Sequence, residues 1–182
     1  MNSPKKVSPV STIPVSWKDS GLRWYWVAGF AFVADQLSKL WVLANFELSE
    51  TVQLLPFFNF TYVRNYGAAF SFLSDAGGWQ RWFFTVIALG FSTLLTLWLR
   101  KQSHTLWRTN LAFTLVIGGA LGNLVDRLYH GYVVDFLHFY WQSYHFPAFN
   151  IADSAIFIGA VLIIWDSFKP QKASVVSQDS LK

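Results

Sequence analysis

Apolar residues gather in four runs separated by polar stretches, at residues 24–44, 82–99, 111–129 and 151–168. Each approaches the roughly 20 residues that cross a hydrocarbon core of about 30 Å, so each predicts a transmembrane helix. The second run, WFFTVIALGFSTLLTLWL, holds no charge, and the third and fourth, LAFTLVIGGALGNLV and IADSAIFIGAVLIIW, are polar toward one end only. The first differs, because Asp35, Gln36, Ser38 and Lys39 fall in its second half.

Residues 46–80, between the first two runs, follow another rule. Phe58 to Asn65 alternates aromatic or β-branched residues with polar ones, the period-two pattern of a strand. Asn65-Tyr66-Gly67 reads as a turn, and Asp75-Ala76-Gly77-Gly78 as a loop leading into the second span. The expected fold is therefore an all-α membrane protein of four transmembrane helices, with a small extracytoplasmic β-sheet inserted between helices 1 and 2. Residues 1–20 and 170–182 are polar and read as disordered cytoplasmic tails around a membrane domain spanning 21–169. The first tail and the run from Trp24 to Ala34 imitate a cleavable signal peptide. Apolar character resumes after Lys39, however, and no small-x-small site follows the run, so an uncleaved span is expected.

Composition strengthens the membrane reading. Hydrophobic residues make up 53% of the 182, aromatic residues 19% and charged residues only 13%, against about a quarter charged in an average soluble domain. Zero cysteines exclude a disulfide framework, a cysteine nucleophile and thiolate metal sites. The net charge of +4 forms no continuous basic stripe, which argues against nucleic acid. The cations instead encode orientation. Lys5, Lys6, Lys18, Arg23, Arg100, Lys101, Arg108, Lys169, Lys172 and Lys182 lie on one side of a four-span chain, and Lys39, Arg64, Arg81 and Arg127 on the other. By the positive-inside rule both termini are cytoplasmic, and the segments 45–81 and 130–150 face outward.

Charged groups inside spans are expensive, about 2.5 to 3.5 kcal/mol each on insertion scales, so each needs a reason. Asp35 and Lys39 stand at i and i+4 with the acid first, the favourable order for an ion pair. In the third span Gly118 and Gly122 form a small-xxx-small pair that admits a close helix. Asn123, Asp126 and Arg127 share one face there, as fitting for a structural network as for a catalytic one. Asp135, in GYVVDFL, and Asp153, in FNIADS with Asn150 three residues before it, are both flanked by apolar residues at the outer boundary. They are the components of an aspartyl dyad. The competing assignment makes Asp153 a cap of the fourth span, where a carboxylate gains about 0.3 to 1 kcal/mol. His130, His138 and His145 with Asp135 form a conceivable zinc set, but their spacing is not that of a compact helical site and no HExxH occurs. No metal and no cofactor is expected. A small transporter or a non-enzymatic assembly factor is the competing class. No repeat relates the halves, and the acids cluster at one face rather than at mid-membrane.

Five motifs in register, DQLSK (35–39), NYGAAFSF (65–72), GGALGNLVDR (118–127), VVDF (133–136) and FNIADS (149–154), closely resemble lipoprotein signal peptidase, or signal peptidase II, over residues 24–168. The resemblance implies a bacterial inner-membrane aspartyl peptidase that removes the signal peptide of a diacylglyceryl-modified prolipoprotein before the lipidated cysteine. It implies Asp135 and Asp153 as the catalytic acids and Asp126 as a supporting residue. It further implies that Asp35, Lys39, Asn65, Gly67, Asn123, Asp126, Arg127 and Asn150 line the site, support it or contact the peptide antibiotic globomycin. Prolipoprotein substrates and membrane lipids are the expected partners of a monomer. Tyr66 departs from the family motif, which usually has Thr there.

Overall fold

The structure, a computed structural model, describes residues 16–67 and 77–168. After a short 3-10 turn, Gly21–Trp24, the chain forms α1 (Tyr25–Asn45), β1 (Thr51–Leu55), β2 (Phe58–Asn65), α2 (Gln80–Lys101), α3 (Trp107–Tyr129), β3 (Val133–Trp141), β4 (Tyr144–His145) and α4 (Ile151–Ser167). The helices fall within a few residues of the four apolar runs. Gly21–Asn45, Gln80–Lys101 and Trp107–Tyr129 are long and apolar enough to cross a membrane. The fourth helix has 17 residues, about 25 Å of rise.

The bundle exposes large apolar side chains and buries charged and polar ones beside an apolar cluster of Ala28, Leu95, Leu99, Ala112, Phe113 and Ile117. Phe30, Val86, Phe91, Phe157 and Trp165 are exposed, whereas Asp35, Lys39, Asn110, Thr114, Asn123 and Asp126 are buried. Hydrocarbon removes any gain from hiding apolar side chains, so close contact and internal hydrogen bonds hold the helices together. α3 is the central element and packs against α1, α2 and α4. Its glycines make that possible: a Cβ on Gly118 would lie 2.6 Å from the Ala28 carbonyl oxygen of α1, and one on Gly122 would lie 2.5 Å from Asp35 Oδ2.

At one end of the bundle lies an antiparallel sheet of order β1-β2-β3-β4. The expectation of a sheet inserted between helices 1 and 2 needs correction here. That segment supplies β1 and β2, while β3 and β4 come from between α3 and α4. Because Val133, Val134, Asp135 and Phe136 are all buried, the start of β3 has no period-two pattern to read. The β2–β3 register slips by one residue between Phe60 and Val63, a bulge directly beside the Val63↔Asp135 pair.

Residues 16–20, the end of the stretch read as a disordered tail, form an ordered turn. Ser20 caps the 3-10 turn through the Leu22 amide at 3.3 Å, and the amide of Gly21 donates to the Gln102 carbonyl at 2.8 Å. Residues 1–15 and 169–182, and positions 68–72 of the NYGAAFSF motif, lie outside the described residues, as do Asp75 and Ala76.

Candidate active site

The site grows from one buried cation. Lys39, 2% exposed, places its ammonium 2.8 Å from Asp35 Oδ2 and 2.9 Å from Asp126 Oδ2, and donates to Asn123 Oδ1 at 3.0 Å. An ammonium has three hydrogens, and each finds an acceptor. Gln36 Nε2 ties the same two acids together, 3.2 Å from Asp35 Oδ2 and 3.1 Å from Asp126 Oδ1. Both acids also grip backbone. Asp35 Oδ1 accepts from the Ala152 amide in the first turn of α4 at 2.8 Å, where a helix N-terminus favours negative charge. Asp126 Oδ2 accepts from the Val134 amide at 3.0 Å, which fixes the strand one residue before Asp135.

Asn123 passes this order on to the outer acids. Its amide donates to Asp153 Oδ1 at 2.7 Å, and its oxygen accepts from Asn150 at 3.2 Å. Asn150, fully buried, caps α4 in a reciprocal capping box: its side chain accepts from the Asp153 amide at 2.8 Å, and Asp153 Oδ2 accepts from the Asn150 amide at 3.3 Å. The same Asn150 side chain donates to Asp135 Oδ1 at 2.7 Å. Asn65, diagonal to Asp135 across the β2–β3 pair, donates to its other oxygen at 2.9 Å. Arg127 then closes the circle, donating to the Gly67 carbonyl at 2.8 Å and to the Asn123 carbonyl at 3.3 Å, while Gly67 N donates to Asn65 Oδ1 at 3.0 Å.

Asp135 forms part of the wall of a cleft of 340 Å³ between the strands and residues 146–148. Burial, followed by the nearby Asp153 carboxylate, raises its pKa to about 7. A carboxyl in this state holds or releases a proton near neutrality. Arg64 forms the rim, lying over the rings of Tyr132 at 4.8 Å and Tyr62 at 5.8 Å. His138 and His145 stand on the same cleft, and burial followed by His145 holds His138 below the usual imidazole range.

The structure thus gathers Asp35, Lys39, Asn65, Gly67, Asn123, Asp126, Arg127, Asp135, Asn150 and Asp153 into one hydrogen-bonded network. Asp153 belongs to the α4 capping box and also accepts from Asn123, so the cap does not use both of its carboxylate oxygens. Gln36, inside the DQLSK motif, bonds both Asp35 and Asp126; its only sequence signal is a second polar side chain beside an acid within an apolar run. The tyrosine wall around Arg64 had no sequence signal, because Tyr62 and Tyr132 meet only through the fold, their hydroxyls 3.3 Å apart. Among the described residues no group of three His, Asp or Glu side chains is placed to share a metal ion.

Fold and site define a helical membrane protein with two carboxyls joined through one asparagine, one of them bordering a cleft beside the sheet. The family model described as signal peptidase (SPase) II matches residues 27–169. A lipoprotein signal peptidase of Shewanella sp. (strain MR-4) is 74% identical over 93% of this chain and 100% of its own length. Those of Shewanella woodyi and Shewanella oneidensis are each 79% identical, over 85% and 86% of this chain and 88% and 92% of their own lengths. Two solved structures, described as bacterial membrane enzyme structures by the in meso method at 2.3 Å and 1.9 Å resolution, superpose with TM-scores of 0.73 and 0.71. They share 32% and 34% identity with it, covering 84% and 82% of this chain and 94% of each of theirs. The chain belongs to the signal peptidase II family and is a membrane peptidase.

Proposed function

We propose that this chain is an aspartyl endopeptidase of the bacterial inner membrane that cleaves diacylglyceryl-modified prolipoproteins before the lipidated cysteine. The observation that carries the proposal is that Asn150 bonds both Asp135 and Asp153 while Asp135 borders the cleft with a pKa near 7. Asp153, which accepts from Asn123 and the Asn150 amide, is the member of the pair that takes a proton from the attacking water. Protonated Asp135 donates to the scissile carbonyl oxygen as the water oxygen bonds to carbon. The C–N bond then breaks as its nitrogen takes the proton from Asp153, and Asp135 regains its own proton as the carbonyl re-forms. The products are the signal peptide with a new C-terminal carboxylic acid, which ionises on release, and the amine of the lipidated cysteine.

Both termini are cytoplasmic in this reading, from the distribution of Lys and Arg, and the sheet end of the bundle faces the periplasm. All four helices span the bilayer, with the diacylglyceryl group remaining in lipid beside the site. Globomycin competes for the cleft. The test is cleavage of a diacylated lipobox peptide by purified protein, with and without EDTA and globomycin. Cleavage that is blocked by globomycin and indifferent to EDTA is the expected result; loss of activity in chelator would overturn the two-aspartate mechanism.

A further inference from the structure

The wall of the cleft carries two imidazoles outside the acid network. His138 on β3 and His145 on β4 sit diagonally across the Tyr140↔His145 pair, with His145 Nδ1 3.2 Å from His138 Nε2. Their rings are inclined by only 17° with centroids 5.2 Å apart. Two nitrogen lone pairs at that separation repel unless a proton or a cation lies between them. Bonds of about 2.0 to 2.1 Å to a tetrahedral ion put two imidazole nitrogens about 3.3 Å apart, close to the distance found.

A second observation concerns Asn59, which is 9% exposed. Its Nδ2 is a long 3.4 Å from His138 Nδ1, and its buried Oδ1 has no partner. A half-turn of this amide lets Oδ1 accept from His138 Nδ1–H. That selects the tautomer whose Nε2 lone pair faces His145, the arrangement in which an outer partner orients a metal-ligating histidine.

We propose that His138 and His145 bind one transition-metal ion of the zinc and copper class, supported by Asn59, and that the bound ion obstructs the cleft beside Asp135. His145 is exposed and His138 half-buried, so the ion enters from solvent and a small swing of the His145 ring opens its place. With two protein ligands the site keeps open positions and releases its ion readily to a chelator. Imidazole ligands favour copper over zinc and give magnesium no hold. Binding rests on the geometry alone, and obstruction rests also on the proposed peptidase reading.

The whole protein in detergent is suited to the test, because it contains no cysteine and only four histidines. Equilibrium dialysis against Zn²⁺ is expected to give one ion per chain for the wild type and for the controls His104→Gln and His130→Gln. Affinity should fall about 10-fold or more in His138→Gln, His145→Gln and Asn59→Ala. Zn²⁺ should slow cleavage of a lipobox peptide by the wild type, EDTA should restore it, and the rate ratio with and without Zn²⁺ should return to about one in His145→Gln. Because His145 is exposed, that variant carries the test even if His138→Gln misfolds. Zn²⁺ held as tightly by His145→Gln as by the wild type overturns the site. One bound ion with no change in rate overturns the obstruction. Failure to cleave in metal-free buffer counts against the peptidase reading and leaves the dialysis result standing.

Discussion

Asn150 donates to Asp135 at 2.7 Å through its side chain, so the residue that caps α4 also fixes a carboxyl on strand β3. Rotating that amide would at once free the helix end, the strand acid and the link to Asn123. Asn150→Ala should therefore lower cleavage by about 10-fold or more, because the bond that positions Asp135 is lost together with those to Asp153 and Asn123. The cap lost with it costs about 1 kcal/mol, visible as a modest fall in thermal midpoint.

Asp135→Asn and Asp153→Asn should each abolish processing, a loss of at least about 10²-fold. An Asn at 153 can still accept from the Asn150 amide, so helical content and the unfolding midpoint of that variant should stay near the wild type. Normal processing by either folded variant, measured on a lipidated prolipoprotein, would sink the two-aspartate assignment.

The pH profile follows from the raised pKa of Asp135, which comes from burial first and Asp153 second. Below about 7 this carboxyl keeps the proton it must donate, and above 7 it loses it, so kcat should decline on the alkaline side with an apparent midpoint near 7. The bond from Asn65 stabilises the ionised form and lowers this pKa. Asn65→Ala should move the alkaline limb to higher pH, beside any loss of rate; a limb that stays in place would separate Asp135 from the titration.

Lys39→Met leaves Asp35 and Asp126 facing each other without their shared cation. Removing one partner from a buried ionic group costs about 3 to 5 kcal/mol, so folded yield in detergent should collapse. Asp126→Asn keeps an acceptor for the Val134 amide and leaves the Asp35–Lys39 pair intact. Its loss should be clearly smaller, and equal losses for the two variants would contradict the hub role of Lys39.

Gly122→Ala would set a methyl 2.5 Å from Asp35 Oδ2, whereas Gly29 and Gly90 have nothing within 4 Å of the added carbon. The first should destabilise the protein and reduce activity. Gly29→Ala and Gly90→Ala should be neutral or stabilising by up to about 1 kcal/mol, since each replaces an exposed helical glycine.

By itself the sequence determined where the four helices run, three of which are long and apolar enough to cross a membrane, because a long apolar run there satisfies its backbone best as a helix. It also marked the polar residues that such runs should not contain, and the i, i+4 spacing of Asp35 and Lys39 already described their ion pair. The start of β3 was hidden, since four consecutive buried residues carry no alternation and a strand's partner is never written in its own segment. Only the tertiary structure decided that Asp135 of a strand and Asp153 of a helix meet through Asn150, and that His138 faces His145 while His130 stacks on Tyr132 at 5.5 Å. Local pattern follows from neighbours a few residues apart. The site joins α1, α3, α4 and the sheet, and its contacts exist only once glycines on α3 let the helices close and the β2 bulge sets the register beside Asp135.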